Sequence, residues 1–135
     1  MRQEEYISEH HSKHLIRYHI IFVCKYRKKI LVGIIADDII RIMNEIAEKS
    51  DFSIEAIEAD KDHIHMLVKS SPKLSPLQIV RRLKQASTIA IWRLHRDTLR
   101  CMLFKNRTFW TDGYFVSSVG NVSVDTVRAY IERQG

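Results

Sequence analysis

Two histidines separated by a single residue are the feature of this sequence with the most evident chemistry. They lie in the run Asp-His-Ile-His-Met-Leu-Val at residues 62–68, whose apolar and β-branched character predicts a strand. Side chains two apart on a strand point to the same side, so His63 and His65 should present two imidazoles together. Each buried imidazole needs a polar partner, and one divalent metal ion could serve both. A pair of solvated or mutually satisfied histidines is the alternative interpretation.

A tyrosine and a glutamine near the C-terminus could complete such a site. The pattern of residues 123–134 predicts a final helix that is capped by Ser123 and has an inward apolar stripe. Tyr130 and Gln134 are four positions apart, so they share one face of this helix beside that stripe. Taken singly, each could be an ordinary half-buried or solvated residue.

Together with the histidine pair, these two residues form a site for phosphoryl transfer. Two imidazoles and an amide oxygen offer three metal ligands and leave positions open for phosphate oxygens or water. The metal would polarise and orient a scissile phosphate. The Tyr130 phenol, with an ordinary pKa of about 10, would be favoured as phenolate by neighbouring cations. Its attack would give a phosphotyrosine ester that a 3′-hydroxyl can later attack, so the set predicts a recombinase rather than a hydrolytic nuclease.

Composition and charge narrow the class of protein. A chain of 135 residues, with 45% apolar and 28% charged residues, predicts one globular domain over 1–135. The formal net charge of +6 favours a nucleic-acid partner. No apolar run is long enough to cross a bilayer or resembles a signal peptide, so we expect a cytoplasmic protein without a membrane partner. The two cysteines form no Cys-x-x-Cys motif and are interpreted as buried apolar residues.

The hydrophobic pattern predicts seven elements, preceded by a polar, flexible tail over residues 1–13. The predicted strands are 17–24, 52–60, 64–69 and 114–119. The predicted helices run from a cap at Asp37 or Asp38 to about residue 50, from Ser75-Pro76 to about 95, and over 123–134. In the second helix, Val80, Leu83, Ala90 and Leu94 should face inward. The expected fold is α+β and ferredoxin-like (RRM-like): an antiparallel sheet with helices on one face, plus a C-terminal helix that carries Tyr130.

Several motifs in this order resemble the small single-tyrosine HUH transposases, the TnpA-type enzymes of insertion sequences that move as single-stranded DNA. The HUH signature (histidine, bulky apolar residue, histidine) corresponds to His63-Ile64-His65. The other matching stretches are residues 18–23 with 25–27, 110–115 with 118–120, and 127–134. The resemblance extends from about residue 14 to the end of the sequence.

The resemblance implies a function for the whole set. It implies Tyr130 as nucleophile, with His63, His65 and Gln134 as ligands of Mg²⁺ or Mn²⁺. It further implies a homodimer in which the sheets of two subunits join and the active sites are composite, with the tyrosine helix of one subunit able to serve the histidines of the other. The expected substrate is single-stranded DNA with a hairpin near each element end, cleaved through a 5′-phosphotyrosine link.

Clusters of basic residues could carry the DNA, although any one of them could be an ordinary solvated side chain. The main candidates are Arg81, Arg82 and Lys84 on the outer side of the long helix, and Lys25, Arg27 and Lys28 after the first strand. Further basic residues are Arg93 and Arg96 near the helix end, and Lys105 and Arg107. His19 is interpreted as structural.

Two alternatives stay open on the sequence. One is a non-catalytic module that binds single-stranded nucleic acid and whose histidines are structural. The other is a domesticated relative that cuts DNA but no longer serves a mobile element.

Overall fold

A four-stranded antiparallel sheet organises the part of the chain that the computed structural model describes, residues 7–9, 12–103 and 107–120. The predicted C-terminal helix over 123–134 lies outside these residues. The elements follow in chain order: β1 (Ile7–Glu9), β2 (Ser12–His14), β3 (Ile16–Val23), α1 (Gly33–Glu48), β4 (Phe52–Asp60), β5 (His63–Ser70), α2 (Pro76–Leu94), α3 (Arg96–Leu103) and β6 (Phe115–Ser118).

The strand order of the sheet confirms the predicted fold class. The order is β4-β5-β3-β6, and every neighbouring pair is antiparallel. The chain sequence of β3, α1, β4, β5, α2 and β6, with β3 and β5 at the centre of the sheet, is the ferredoxin-like arrangement of an α+β protein. The two central strands, β3 and β5, therefore have hydrogen-bonded neighbours on both sides.

The hydrophobic core lies between one face of the sheet and the helices. Alternate residues of the central strands enter it, among them Ile20, Phe22, Ile64 and Met66, all with no exposed surface. The helices add further buried residues to the same cluster: Ile39, Met43, Leu83 and Ile91. Because strand side chains alternate, the residues between these positions occupy the opposite face of the sheet.

Helix α1 begins earlier than predicted. Its N-cap is Val32, whose side chain makes no capping hydrogen bond, and the predicted caps Asp37 and Asp38 lie inside the helix. The buried side chain of Ile35 extends the apolar stripe of the helix by one turn toward its N-terminus, so packing outweighs the missing polar cap. Asp38 instead accepts a hydrogen bond from His95 Nε2 at 2.6 Å, which ties α1 to the end of α2.

Helix α2 begins as predicted. The Ser75 hydroxyl accepts from the Gln78 backbone N–H at 3.1 Å, and the Gln78 side chain accepts from the Ser75 backbone N–H at 2.8 Å. Val80 and Leu83 face inward as expected. The expectation for Leu94 was wrong: it is 53% exposed, and Ala90 is only partly buried. The inward stripe advances in four-residue steps along Leu83, Ser87 and Ile91, so position 94 falls outside it.

Three elements arise where the sequence pattern predicts none. Helix α3 buries Leu99 and Leu103, which lie four residues apart in a stretch of eight that also holds three charged residues. Strands β1 and β2 pair with each other inside the predicted tail, with Ile7 opposite His14 and Glu9 opposite Ser12. Within the described ranges, no helix has the length and apolar character needed to span a membrane.

Candidate active site on the face of the sheet opposite the helices

Strand β5 places the two predicted histidines on the same side of the sheet. Ile64, Met66 and Val68 point into the core, and His63 and His65 therefore point to the opposite face. The centroids of the two imidazole rings are 4.6 Å apart, with the ring planes at 76°. This geometry confirms the predicted juxtaposition of the two rings. We call this side of the sheet the histidine face.

The ring of His63 is oriented by the residue before it. Its Nδ1 lies 2.8 Å from Asp62 Oδ1, and this hydrogen bond is the main reason why the pKa of Asp62 is lowered from its usual value. An ionised carboxylate can only accept, so Nδ1 of His63 donates in this hydrogen bond, and Nε2 is the ring nitrogen left for other partners. The carboxylate of Asp60 adjoins that second nitrogen, with 3.7 Å between His63 Nε2 and Asp60 Oδ2. Carboxylate oxygens therefore lie next to both ring nitrogens of His63.

The ring of His65 is kept neutral by its surroundings. Only 4% of His65 is exposed. Burial, with smaller contributions from the nearby His63 and His19, lowers the pKa of His65 to about 4. The imidazole is therefore uncharged at neutral pH, which is the form that coordinates metal ions.

A third histidine joins the pair from the neighbouring strand. His19 on β3 has its ring centroid 5.6 Å from that of His65, with the rings nearly parallel at 18°. The Nε2 of His19 lies 3.4 Å from Nδ1 of His65, and burial lowers the pKa of His19. The ring of Phe115 on β6 meets His19 edge-on at 5.7 Å. The sequence pattern alone indicates a structural role for His19, and only the pairing register of β3 with β5 reveals its contact with the pair.

The histidine face offers two of the ligands that a divalent cation would need. Two imidazoles, one neutral and one with its tautomer set by Asp62, face the same side, as a shared ion requires. Among the residues that the structure describes, no group of three His, Cys, Asp or Glu side chains is arranged to hold a metal. The predicted third ligand, Gln134, and the predicted nucleophile, Tyr130, lie outside the described residues and stay predictions.

Comparison with known proteins decides the family. A family model described as "Transposase IS200 like" matches residues 12–134. This chain belongs to the IS200-like transposase family. The transposase for insertion sequence element IS200 from Salmonella typhimurium is 31% identical over 124 residues, covering 92% of this chain and 80% of that protein. The ISDra2 transposase TnpA from Deinococcus radiodurans is 28% identical over 119 residues, covering 88% of this chain and 84% of that protein.

Solved structures resemble this transposase along most of its length. A crystal structure of a Deinococcus radiodurans transposase superposes with a TM-score of 0.78 at 25% identity, covering 95% of this chain and 97% of that one. A REP-associated tyrosine transposase bound to a REP hairpin superposes with a TM-score of 0.63 at 14% identity, covering 97% of this chain and 69% of that one, and has the same fold. Family membership makes this protein a transposase, an enzyme class that cuts and joins DNA.

The predicted DNA-binding residues of α2 lie in the helical layer of this transposase, away from the histidine face. Arg81 is exposed, and the exposed Arg82 donates to Ser50 Oγ at 3.0 Å. Lys84 is not on the outer side as expected: it is partly buried, and its ammonium donates to the backbone carbonyls of Thr111 at 2.5 Å and Asp112 at 3.1 Å. Position 84 follows the inward Leu83 and borders residues 111–112, which lead to β6. The Lys84 ammonium therefore holds this segment against α2 through its two hydrogen bonds.

The basic turn after β3 adjoins the site. Lys25–Arg27 form one 3-10 turn, in which Tyr26 and Arg27 have φ of 59° and 51°. Arg27 and Lys28 are exposed, and Lys25 Nζ lies 5.7 Å from the centre of the Tyr26 ring. The charge of Arg27 contributes to the lowered pKa of Asp62, so this turn brings positive charge to the edge of the histidine face.

Proposed function

We propose that this transposase cleaves and rejoins single-stranded DNA at the ends of an insertion sequence, with Tyr130 as nucleophile and Mg²⁺ or Mn²⁺ as cofactor. One observation carries the proposal. In a chain of the IS200-like family, His63 and His65 share one face of a central strand, and the carboxylate of Asp62 orients the first ring.

The described residues prepare the site for a cation and for phosphate. His65 offers a neutral imidazole at physiological pH, because burial disfavours its protonated form. Because Nδ1 of His63 donates to Asp62, a metal ion would be held by Nε2 of the same ring. Gln134 would add an amide oxygen as a third ligand. When bound, the metal would supply Lewis-acid polarisation of the scissile phosphate.

The proposed chemistry is a transesterification with a balanced exchange of bonds. The phenol oxygen of Tyr130 attacks phosphorus and forms a P–O bond, while the bond from phosphorus to the 3′ oxygen breaks. The phenol gives up its proton, and the leaving 3′ oxygen takes one up as a hydroxyl. The product is a 5′-phosphotyrosine ester, which a 3′-hydroxyl can attack in the reverse sense, so the strand is rejoined without an external energy source.

The proposed assembly has two further properties, a dimeric state and a hairpin-bearing substrate. We propose a homodimer in which two sheets join and the active sites are composite. Among the described strands, β4 and β6 are the edges of the sheet, and a joined sheet would extend one of them. We propose single-stranded DNA with a hairpin as substrate, and the structural neighbour bound to a REP hairpin supports this choice.

The proposal is tested with hairpin-bearing single-stranded DNA that is labelled at either end. The full chain is mixed with the DNA and Mn²⁺, and the products are separated on a denaturing gel. A 5′-phosphotyrosine link predicts that a 3′ label migrates with the protein, whereas a 5′ label is released on a free fragment. Tyr130→Phe should abolish the adduct and leave binding nearly unchanged, and EDTA should abolish it as well.

Each alternative has its own outcome in this experiment. An adduct that survives Tyr130→Phe assigns the nucleophile to another residue. An adduct that carries the 5′ label reverses the proposed polarity of cleavage. Tight binding without any adduct, under every metal condition, identifies a non-catalytic single-strand-binding module instead.

A further inference from the structure

A second concave site lies in the helical layer, on the other side of the sheet from the histidine face. It is a pocket of about 410 Å³ along the C-terminal half of α2, closed by the start of α3 and by the segment after residue 106. Its lining residues are Thr88, Ile89, Trp92, Arg93, Arg96 and Arg107. We call it the arginine pocket. No residue of the histidine face contributes to it.

The three guanidinium groups of the pocket are available to an anion. Arg93, Arg96 and Arg107 are all exposed, and no carboxylate among the described residues forms an ion pair with any of them. Arg41 on α1 shows the contrast, because Asp38 and Glu45 both pair with it. Three converging positive charges without acidic partners favour a phosphate, which guanidinium binds with two parallel hydrogen bonds.

The floor and rim of the pocket are apolar. Trp92 forms the floor, and its indole N–H donates to the carbonyl of Thr108 at 2.9 Å, which fixes the ring. Ile89 stands at the rim with 58% of its surface exposed, so its aliphatic side chain is accessible to a ligand. Apolar surface beside guanidinium groups suits a nucleobase attached to its phosphate.

The pocket continues into a groove along α2. A second cavity of about 330 Å³ shares Thr88, Ile89 and Arg107 with it and extends to Lys84 and Asp112. Pockets of this size accommodate ligands of several hundred daltons. The two adjoining cavities together have room for more than an isolated small anion, as a nucleic-acid strand requires.

We propose that the arginine pocket binds an unpaired nucleotide of the DNA strand, with phosphate between the guanidinium groups and the base against Trp92 and Ile89. This inference rests on the proposed function, which supplies single-stranded DNA as the ligand. Because the pocket lies on the opposite side of the sheet from His63 and His65, it anchors the strand and takes no part in bond breaking. Its loss therefore weakens DNA binding and leaves the cleavage rate at saturating DNA unchanged.

Two arginines of α3 provide a matched pair for the first test. Arg96 and Arg100 are both exposed and lie four residues apart on the same helix, but only Arg96 lines the pocket. The binding of a labelled single-stranded oligonucleotide to the full chain is measured by fluorescence anisotropy in EDTA over a series of salt concentrations. Arg96→Gln should weaken binding about tenfold and reduce the salt slope by about 0.7 for one lost phosphate contact. Arg100→Gln should change the affinity by about twofold at most. Equal effects of the two variants would overturn the proposal.

Photo-crosslinking tests the contact with the base. Oligonucleotides with one 5-bromodeoxyuridine at successive positions are irradiated on the full chain, digested with trypsin and mapped by mass spectrometry. We expect a crosslink in the peptide 85–93, which contains Trp92, and we expect Ile89→Glu to remove it while Arg100→Gln keeps it. Crosslinks confined to other peptides reject the pocket as a nucleotide site.

The adduct assay on the same variants separates this inference from the proposed function. An adduct without the crosslink in 85–93 rejects the pocket and leaves transesterification standing. The crosslink without an adduct rejects transesterification and leaves the pocket standing as a nucleotide site. Circular dichroism melting curves that match the unsubstituted protein show that the surface variants are folded.

Discussion

His63 Nδ1 donates a hydrogen bond to Asp62 Oδ1 across 2.8 Å, so one residue of the motif fixes the tautomer of the next. The backbone makes this contact stable. Asp62 precedes the first residue of β5, and its carbonyl accepts from the Cys24 N–H at 2.7 Å, just after β3 ends. The carboxylate and the imidazole therefore sit on a segment that is fastened to the centre of the sheet.

The first prediction concerns this carboxylate. Asp62→Asn replaces an anionic acceptor with a neutral amide, which stabilises the Nδ1–H form of His63 less well and lowers the basicity of Nε2. Changes to such orienting carboxylates typically weaken metal binding about 10-fold to 100-fold. Mn²⁺ affinity can be measured by electron paramagnetic resonance of the free ion, with Asp51→Asn, an exposed carboxylate before β4, as the control. Equal affinities of the two variants would contradict a metal role for the His63 ring.

The second prediction concerns pH and the buried imidazole. The pKa of His65 is about 4 in the folded protein and near 6.5 when the chain is unfolded. Protonation of the unfolded chain below about pH 6.5 therefore draws the equilibrium toward unfolding, and the stability present above that pH is lost as the pH falls toward the folded pKa. As the pH falls from about 7 to about 5, this one group should lower the free energy of unfolding by about 2 kcal/mol.

His65→Gln isolates that contribution, because glutamine does not titrate. Urea denaturation at the two pH values should show a smaller pH dependence for this variant than for the unsubstituted protein. The difference between the two proteins cancels the titration of carboxylates shared by both. An unchanged pH dependence would show that folding does not lower the pKa of the His65 imidazole.

Much of the fold was predictable because its signals are local. Strand β4 has the predicted bounds, and α2 begins at the predicted cap, because alternation and the Ser75 capping box are written in consecutive residues. The start of α1 and the presence of α3 depend on how Ile35 and Leu99 pack against distant parts of the chain. No pattern of neighbouring residues specifies that packing.

In the candidate site, too, some contacts follow from the local sequence and others depend on long-range packing. The shared face of His63 and His65 follows from strand geometry alone. The contact of His19 with His65 depends on the register between β3 and β5, which pairs His19 with Leu67 and Ile21 with His65. Lys84 is basic, as expected of a residue that contacts DNA. Its position beside residues 111–112 depends on tertiary packing, which the local sequence does not specify.

The third prediction concerns Lys84. Its ammonium is a donor to two backbone carbonyls, so Lys84→Met leaves the carbonyls of Thr111 and Asp112 without a charged donor. We expect a loss of about 1–3 kcal/mol in the free energy of unfolding. Arg81→Gln on the exposed side of α2 should change it by about 0.5 kcal/mol or less. Urea denaturation at neutral pH measures both, and a Lys84→Met protein as stable as Arg81→Gln would show that these contacts contribute nothing.

The last prediction concerns metal binding and stability together. A ligand that binds only the folded chain stabilises it by RT ln(1 + [L]/Kd), which is about 2.7 kcal/mol when the free ligand is at a hundred times its Kd. Mn²⁺ should therefore raise the unfolding temperature relative to EDTA, and His63→Ala should abolish the increase because one of two imidazole ligands is gone. His95→Gln changes an imidazole at the end of α2 that pairs with Asp38, so it should lower the baseline stability and keep the full Mn²⁺ increase. If His63→Ala retains the increase, the ion binds elsewhere, and the shared face of His63 and His65 no longer supports a metal-dependent mechanism.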